Sequence, residues 1–268
     1  MDEIVRFNRE TLNSVPQWIQ KEHWEKPNSI FNYGLPPQIT HLIDLPISNA
    51  LTEADLLCSF IVDMEKLRGY VNYIEIGVSV GKTFYQVISF TKTNMVNSDV
   101  NLSCLDIEKI NPTFENLLDG IYNSNKLVTY IPSTPLVNSM RNLDTNVITK
   151  WNNITYYESD EFDPAIWKTM KKSYNIIFSD ALHEPDALIC EYEQLKRNNL
   201  FDDKGFIYCF DDLEREHHGR MWRAVIRIFD DLIISFPNLT VTLEHKVVNG
   251  WIGQHEFPHN FGIIRGLC

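Results

Sequence analysis

From Thr52 onward, short apolar runs rich in β-branched residues alternate with longer stretches of helical periodicity, and no other property of the chain restricts its fold as much. Thr52-Glu53-Ala54-Asp55 has the pattern of a capping box, and Leu56, Leu57, Phe60, Ile61, Met64 and Leu67 recur at helical spacing up to Arg68-Gly69. Val71–Ile76 then reads as a buried strand, Lys82–Phe90 as a helix, Leu102–Asp106 as a second strand and Pro112–Ile121 as a crossover helix. Ile154–Tyr157 and Tyr174–Phe178 read as strands three and four. The helix Pro185–Asn198 follows, opened by Glu184 and Asp186 and closed by Lys196 and Arg197, as the helix dipole prefers. Asp203-Lys204-Gly205 turns into a fifth strand, Phe206–Phe210. Trp222, Val225, Ile226, Phe229, Leu232 and Ile233 form a strong helical stripe, and two strand-like segments, Leu239–Val247 and Asn260–Ile264, end the chain.

Repeated β–α units imply an α/β fold: a Rossmann-like, doubly wound, mainly parallel sheet. Seven strands are expected, the last two forming an antiparallel edge hairpin. The first 51 residues do not share this pattern. Pro16, Pro27, Pro36, Pro37 and Pro46 interrupt them, so residues 1–51 read as a cap or arm on a domain spanning 52–268. The stretch 109–153 is longer than one crossover requires. Its part around Ile131-Pro132-Ser133-Thr134-Pro135 is expected to be an insertion, serving as a substrate wall or a contact surface.

Composition narrows the function classes. With 268 residues, 44 % hydrophobic and 12 % aromatic, the chain can bury a full core. Its 24 basic against 36 acidic residues give a formal charge of −12, which disfavours coating nucleic acid or anionic lipid and points to a small-molecule substrate. No run reaches the ~18 apolar residues of a membrane span, and Met1-Asp2-Glu3-Ile4-Val5-Arg6 does not open a secretory signal. Cys58, Cys104, Cys190, Cys209 and Cys268 lack any CxxC spacing, so reduced thiols in a cytoplasmic protein are expected. A homo-oligomer is left open.

Ligands of open α/β sheets sit beyond the carboxyl ends of the strands, so the chemistry is sought there. After the first strand comes Glu75-Ile76-Gly77-Val78-Ser79-Val80-Gly81-Lys82-Thr83, whose glycines permit a tight turn and close backbone approach to a ligand. A P-loop, with Lys82 and Thr83 on phosphate, needs four residues between its glycines, and here there are three. The competing pattern, acidic-x-Gly-x-x-x-Gly, suits the amino-acid part of S-adenosylmethionine. Asp106 ends the second strand, where a carboxylate can accept both hydroxyls of a ribose, and Ser159 and Asp160 follow the third. Asp180 and His183 follow the fourth strand, and Asp211 and Asp212 the fifth. Three such carboxylates repel one another unless a cation such as Mg²⁺ lies between them; the alternative is that Asp180 and Asp212 only cap helices. His183, three residues beyond Asp180, is placed to take a proton.

In this ordered set the chain resembles the class I S-adenosylmethionine-dependent methyltransferases, and within them the metal-assisted O-methyltransferases of catechol and macrocin type. The resemblance covers Thr52 to the end. It implies that Glu75, Gly77, Val78, Gly81, Asp106, Ser159 and Asp160 bind S-adenosylmethionine. It further implies that Asp180, Asp211 and Asp212 ligate a divalent metal, most simply Mg²⁺, with Asp180 and His183 as the catalytic pair. Asp211-Asp212 stands where the catechol type has Asp-Asn, closer to the macrocin type. The absence of Asn/Asp-Pro-Pro-Tyr disfavours methylation of base amino groups. A nucleotide hydrolase and a non-catalytic protein that keeps this fold remain the alternatives.

Overall fold

In the computed structural model, residues 53–78, 81–122, 125–134, 144–252 and 255–268 are described; the expected cap, 1–51, lies outside them. Helix α1 (Glu53–Arg68) runs back along strand β1 (Tyr70–Ile76), followed by α2 (Lys82–Asn94), β2 (Asp99–Asp106) and α3 (Pro112–Ile121). Strands β3 (Lys126–Pro132), β4 (Thr145–Trp151) and β5 (Ile154–Glu158) come next, then the short α4 (Pro164–Trp167) and β6 (Ile176–Ser179). Helix α5 (Pro185–Arg197), β7 (Phe206–Phe210), α6 (Arg220–Ser235), β8 (Thr240–Ile252) and β9 (His255–Leu267) complete the order.

One sheet unites all the described strands in the order β3-β4-β5-β2-β1-β6-β7-β9-β8. The central strands β5, β2, β1, β6 and β7 are mutually parallel. An antiparallel hairpin closes each side, β3–β4 on one and β8–β9 on the other. The α/β class and the C-terminal hairpin are as expected, but the strands number nine, not seven. The two extra strands come from the stretch expected to be an insertion. β3 lacks the alternation that reveals a half-buried strand, because it is exposed along almost its whole length and ends in Pro132. β4 is fastened to the crossover helix by the buried Trp151, whose indole N–H donates to Asp119 at 2.7 Å. Asp163 ties the hairpin to the loop after β5: its Oδ2 accepts from the Ser133 hydroxyl, the Thr134 amide and the Asn146 amide group at 2.8–3.0 Å.

Strand parity sorts the core into two layers. Val71 and Tyr73 of β1, Ile176 and Phe178 of β6, Ile207 and Cys209 of β7, and Phe261 and Ile263 of β9 pack under α1, α2 and α3. Ile74 and Ile76, Ile177, Phe206, Tyr208 and Phe210, and Ile264 point the other way, into α4, α5 and α6. Burying large side chains on both faces is what fixes the register, since a one-residue slip would exchange the two sets. Cys58, Cys104 and Cys209 are buried in the first layer as free thiols. No described helix is long and apolar enough to cross a membrane.

Candidate functional site

The chain leaves β1 for β2 on one side and later returns to β6 on the other, so β1 borders the topological switch point where a crevice opens. Gly77 leaves β1 with φ +84°, and its amide donates to the Leu105 carbonyl of β2 at 2.8 Å. A Cβ at Gly77 would lie 2.2 Å from the Asp180 carbonyl oxygen, so only glycine lets this loop rest on the tip of β6. Gly81, φ +82°, starts α2 with its Cα against the Phe114 ring. The Val78 amide donates to Asp106 Oδ2 at 2.6 Å, and the Glu108 amide to Oδ1 at 2.7 Å. Across the next strand, the Ser159 amide donates to the Asp106 carbonyl at 2.8 Å, and Asp160 Oδ1 accepts from the Phe162 amide at 2.9 Å. Gly77, Val78, Asp106, Ser159 and Asp160 therefore form one connected rim over β1, β2 and β5. Ser79 and Val80 fall outside the described residues, as does the side chain of Lys82.

Two features of this rim bear on its ligand. The amides of Gly77, Val78 and Gly81 are already engaged, by the Leu105 carbonyl, Asp106 and the Val78 carbonyl, so they do not encircle a phosphate. Glu75 is fully buried beneath the loop and accepts from the Tyr73 hydroxyl at 2.7 Å. Burial raises its pKa well above the usual range, with Glu53, Asp180 and Asp106 adding to the rise and the Tyr73 hydrogen bond opposing it. Such surroundings favour a cationic ligand over a polyphosphate.

Beyond β6 and β7 the side chains form a second cluster. His183, 39 % exposed, lies with Nε2 3.2 Å from Asp180 Oδ1 and Nδ1 3.4 Å from Asp212 Oδ2. His259, from the start of β9, lies with Nδ1 3.2 Å from Asp211 Oδ2 and 3.1 Å from Asp212 Oδ1. Asp212 has a left-handed backbone, φ +50°, and its amide donates to Asp211 Oδ1 at 2.7 Å. Asp180 is 29 % exposed, yet burial by the surrounding protein, then Asp211 and Glu53, hold its pKa well above the usual carboxylate range. The bonds from His259 have the opposite effect on Asp212, whose pKa is lowered. They also push His259 up to about 10, Asp211 contributing most.

The structure thus brings Asp180, His183, Asp211 and Asp212 together, but with imidazoles between the carboxylates. Among the described residues, the group of three donors whose ligand atoms all lie within 4.8 Å of one another is Glu53, Asp211 and His259. Asp180, Asp211 and Asp212 do not form such a group, so the expected ligand triad does not fit one ion in this arrangement, and no step of the chemistry below is assigned to a metal. Glu53 and His259 were not legible as site residues. Glu53 reads as an ordinary first-turn acid, and His259 falls beside Pro258 in a segment with no motif. Counting back along β9 from its pairing with β7 would have revealed His259, because Gly262 pairs with Phe210 and β9 runs on past the end of β7. His217 and His245, 2.7 Å apart, lie against Trp222, away from this cluster on the α6 side.

No family model matches the chain, and no curated protein does. Among solved structures, the chain is similar to a methyltransferase from Podospora anserina with S-adenosylhomocysteine bound: 15 % identity, all of both chains covered, TM-score 0.45. It is also similar to the magnesium protoporphyrin IX methyltransferase of Synechocystis with S-adenosylhomocysteine bound, at 10 % identity over 95 % of this chain and 99 % of that one, TM-score 0.46. A third is precorrin-6y C5,15-methyltransferase from Geobacter metallireducens, at 11 % identity over 82 % and 92 %, TM-score 0.40. Likeness at this level leaves the function to be argued from the side chains of the crevice.

Proposed function

We propose that the chain is an S-adenosylmethionine-dependent methyltransferase acting on a hydroxyl group of a small molecule. One observation carries the reading: the Gly77 loop, held by Asp106, rests directly on the backbone of Asp180, which brings a nucleoside-binding rim and a proton-accepting cluster into contact. When bound, S-adenosylmethionine supplies an electrophilic methyl group on a sulfonium cation. The residues around the crevice would do the rest. Asp106, held by the Val78 and Glu108 amides at the end of β2, stands where a carboxylate suits two ribose hydroxyls. Ser159 and Asp160 border the base end of the same rim. The carboxyl groups of Glu75, Asp106 and Asp180 crowd together beneath the crevice, and a cationic ligand would relieve the repulsion that adds to burial in raising the pKa values of Glu75 and Asp180.

His183 would accept the proton of the substrate hydroxyl. Asp212, whose pKa is lowered and which faces Nδ1, would hold the imidazolium that results, while Nε2, on the Asp180 side, would take the proton. Transfer between aligned groups is an in-line displacement, for which positioning is the main task. The small acceptor is in keeping with the net charge of −12. Titration calorimetry with S-adenosylmethionine and S-adenosylhomocysteine, against ATP and GTP, tests the proposal. Binding of the first two and not of the nucleotides is expected. Preference for ATP or GTP would overturn it, and tight cofactor binding without methyl transfer to any hydroxyl acceptor would mark a non-catalytic protein.

A further inference from the structure

The geometry points to β3 as the surface on which two copies of this chain pair, edge to edge and antiparallel, so that one sheet runs through both. The strand ends the sheet beyond β4, and its outer edge has no neighbour among the described strands. Which backbone groups that edge presents follows from the ladder on its inner side. The Ser133 amide donates to the Asp144 carbonyl at 3.2 Å, one pair beyond the register that sets Pro132 opposite Thr145. Hydrogen-bonded pairs recur at every second residue, so Leu127, Thr129 and Ile131 turn their amides and carbonyls to β4. Lys126, Val128 and Tyr130 turn theirs outward, and Pro132, having no N–H, presents only its carbonyl there.

This edge is complementary to itself. When a second copy runs antiparallel with Thr129 opposite Thr129, the whole of Lys126–Pro132 is paired. Val128 and Tyr130 of each copy then exchange both backbone hydrogen bonds with Tyr130 and Val128 of the other, and at each end a Lys126 amide meets a Pro132 carbonyl. The side chains match in the same register. Val128, 37 % exposed, lies beside Tyr130, 69 % exposed, on one face, and Leu127, 63 % exposed, lies beside Ile131 on the other. Pairs of aromatic and β-branched side chains across strands are favourable. Shifting the register by two residues leaves the last two positions of each copy unpaired.

Charge distinguishes this edge from the opposite one. Leu127–Thr134 contains no charged residue, and Lys126 is turned to Glu115 of α3 at 2.8 Å and to Asp119 at 3.7 Å. A chain of net charge −12 therefore offers another copy of itself an uncharged strip here. β8, at the other end of the sheet, carries Glu244 and Lys246 in mid-strand, the kind of residue that keeps edges from pairing. A contact about 24 Å long and one strand deep buries less than the ~1,200 Å² of a stable interface, so the dimer is weak, with a micromolar Kd. Antiparallel pairing about a two-fold axis is closed, so association stops at two copies. The pairing does not rest on the methyl-transfer reading, because β3 carries none of the crevice residues.

The test uses the full chain with its exposed thiol removed by Cys268→Ser. Sedimentation equilibrium across the micromolar range should show monomer passing to dimer. Val128→Pro removes an outward N–H without touching the β3–β4 ladder, and should weaken dimerisation by at least about tenfold. Thr129→Cys should form a disulfide-linked dimer under mild oxidation, since facing residues of a non-hydrogen-bonded pair lie about 4.5 Å apart. Val128→Cys and Tyr130→Cys lie diagonal to their own counterparts, roughly 7–8 Å away, and should cross-link at least about tenfold more slowly. Should the proline variant fail to fold, these relative rates decide. A chain that stays monomeric, equal cross-linking at the three positions, or a folded Val128→Pro that dimerises like its parent would each overturn the pairing. Slow hydrogen exchange of the Val128 amide in a monomer would overturn it too, and would mark the edge as covered by another segment of the same chain.

Discussion

The two halves of the crevice are built from different materials. Over β1, β2 and β5, the polar groups are held by backbone: Asp106 by two amides, Asp160 by one, and the Gly77 turn by the Leu105 carbonyl. Over β6, β7 and β9, carboxylates are held by imidazoles, His183 between Asp180 and Asp212, and His259 between Asp211 and Asp212. Backbone amides do not change charge, whereas the second half consists of groups that exchange protons. Under the proposed function, a rim that holds one invariant ligand and a cluster that moves a proton would call for these two constructions.

The largest loss of cofactor affinity is expected where the halves touch. Gly77→Val adds a branched side chain at φ +84°, with its Cβ 2.2 Å from the Asp180 carbonyl oxygen. Neither partner can yield, since both are backbone, so the loop must leave β6. Calorimetry should find S-adenosylmethionine affinity lowered by at least about 100-fold, corresponding to ~2.7 kcal/mol. Affinity near that of the wild type would show that this contact does not shape the rim.

His183→Ala should separate the halves cleanly. Loss of a general base lowers turnover by about 10²–10⁴-fold, and the ion-pair partners of His183 among the described residues are Asp180 and Asp212, outside the proposed cofactor rim, so cofactor affinity should stay within about twofold. Equal losses in both measurements would mean that the cluster is part of the cofactor site. Asp106→Asn is the reciprocal change, with a smaller effect. The asparagine side chain offers only one acceptor oxygen to the two amides at 2.6 and 2.7 Å, and turns an N–H₂ toward the other. A charged hydrogen bond is worth about 1.5–3 kcal/mol, so cofactor affinity should fall roughly 10- to 100-fold in a binding titration, with turnover at saturating cofactor much less affected.

The same contrast explains what was readable in the sequence. The amide-held rim follows local rules: Gly77, Gly81 and Asp106 stand where strand-end turns require them, so spacing along the chain revealed them. Asp180, His183, Asp211 and Asp212 were visible as strand-tip residues, but the way histidines interleave them was not, because that depends on how far β9 overshoots β7. Glu53 enters through the packing of α1 over the sheet, a contact that no local spacing encodes. β3 went unseen for a different reason: with neither face buried, it carries no period-two signal.

The smallest effect on binding and turnover concerns the layer beneath the proton-exchanging half, where the change is read in stability. Glu191, on α5, is buried and accepts from the Ser179 hydroxyl at 2.8 Å and from Tyr208. Burial raises its pKa to about 7, against the pull of those two hydrogen bonds, and its charge contributes to the rise of the nearby Glu161 to about 8. A carboxyl that titrates later in the folded chain than in the unfolded one binds more protons when folded. Stability from this group is therefore fully present below the unfolded value, near 4.5, and is lost as pH rises through about 7. Each unit is worth ~1.4 kcal/mol, so the loss is of order 3 kcal/mol. Glu191→Gln keeps the shape and removes the titration. Its melting temperature relative to the wild type should rise by several degrees between pH 5 and pH 8, with little difference between the two proteins at the lower value. A constant offset across that range would mean that Glu191 ionises as freely in the folded chain as in the unfolded one, and that proton exchange on this side of the sheet stops at the crevice floor.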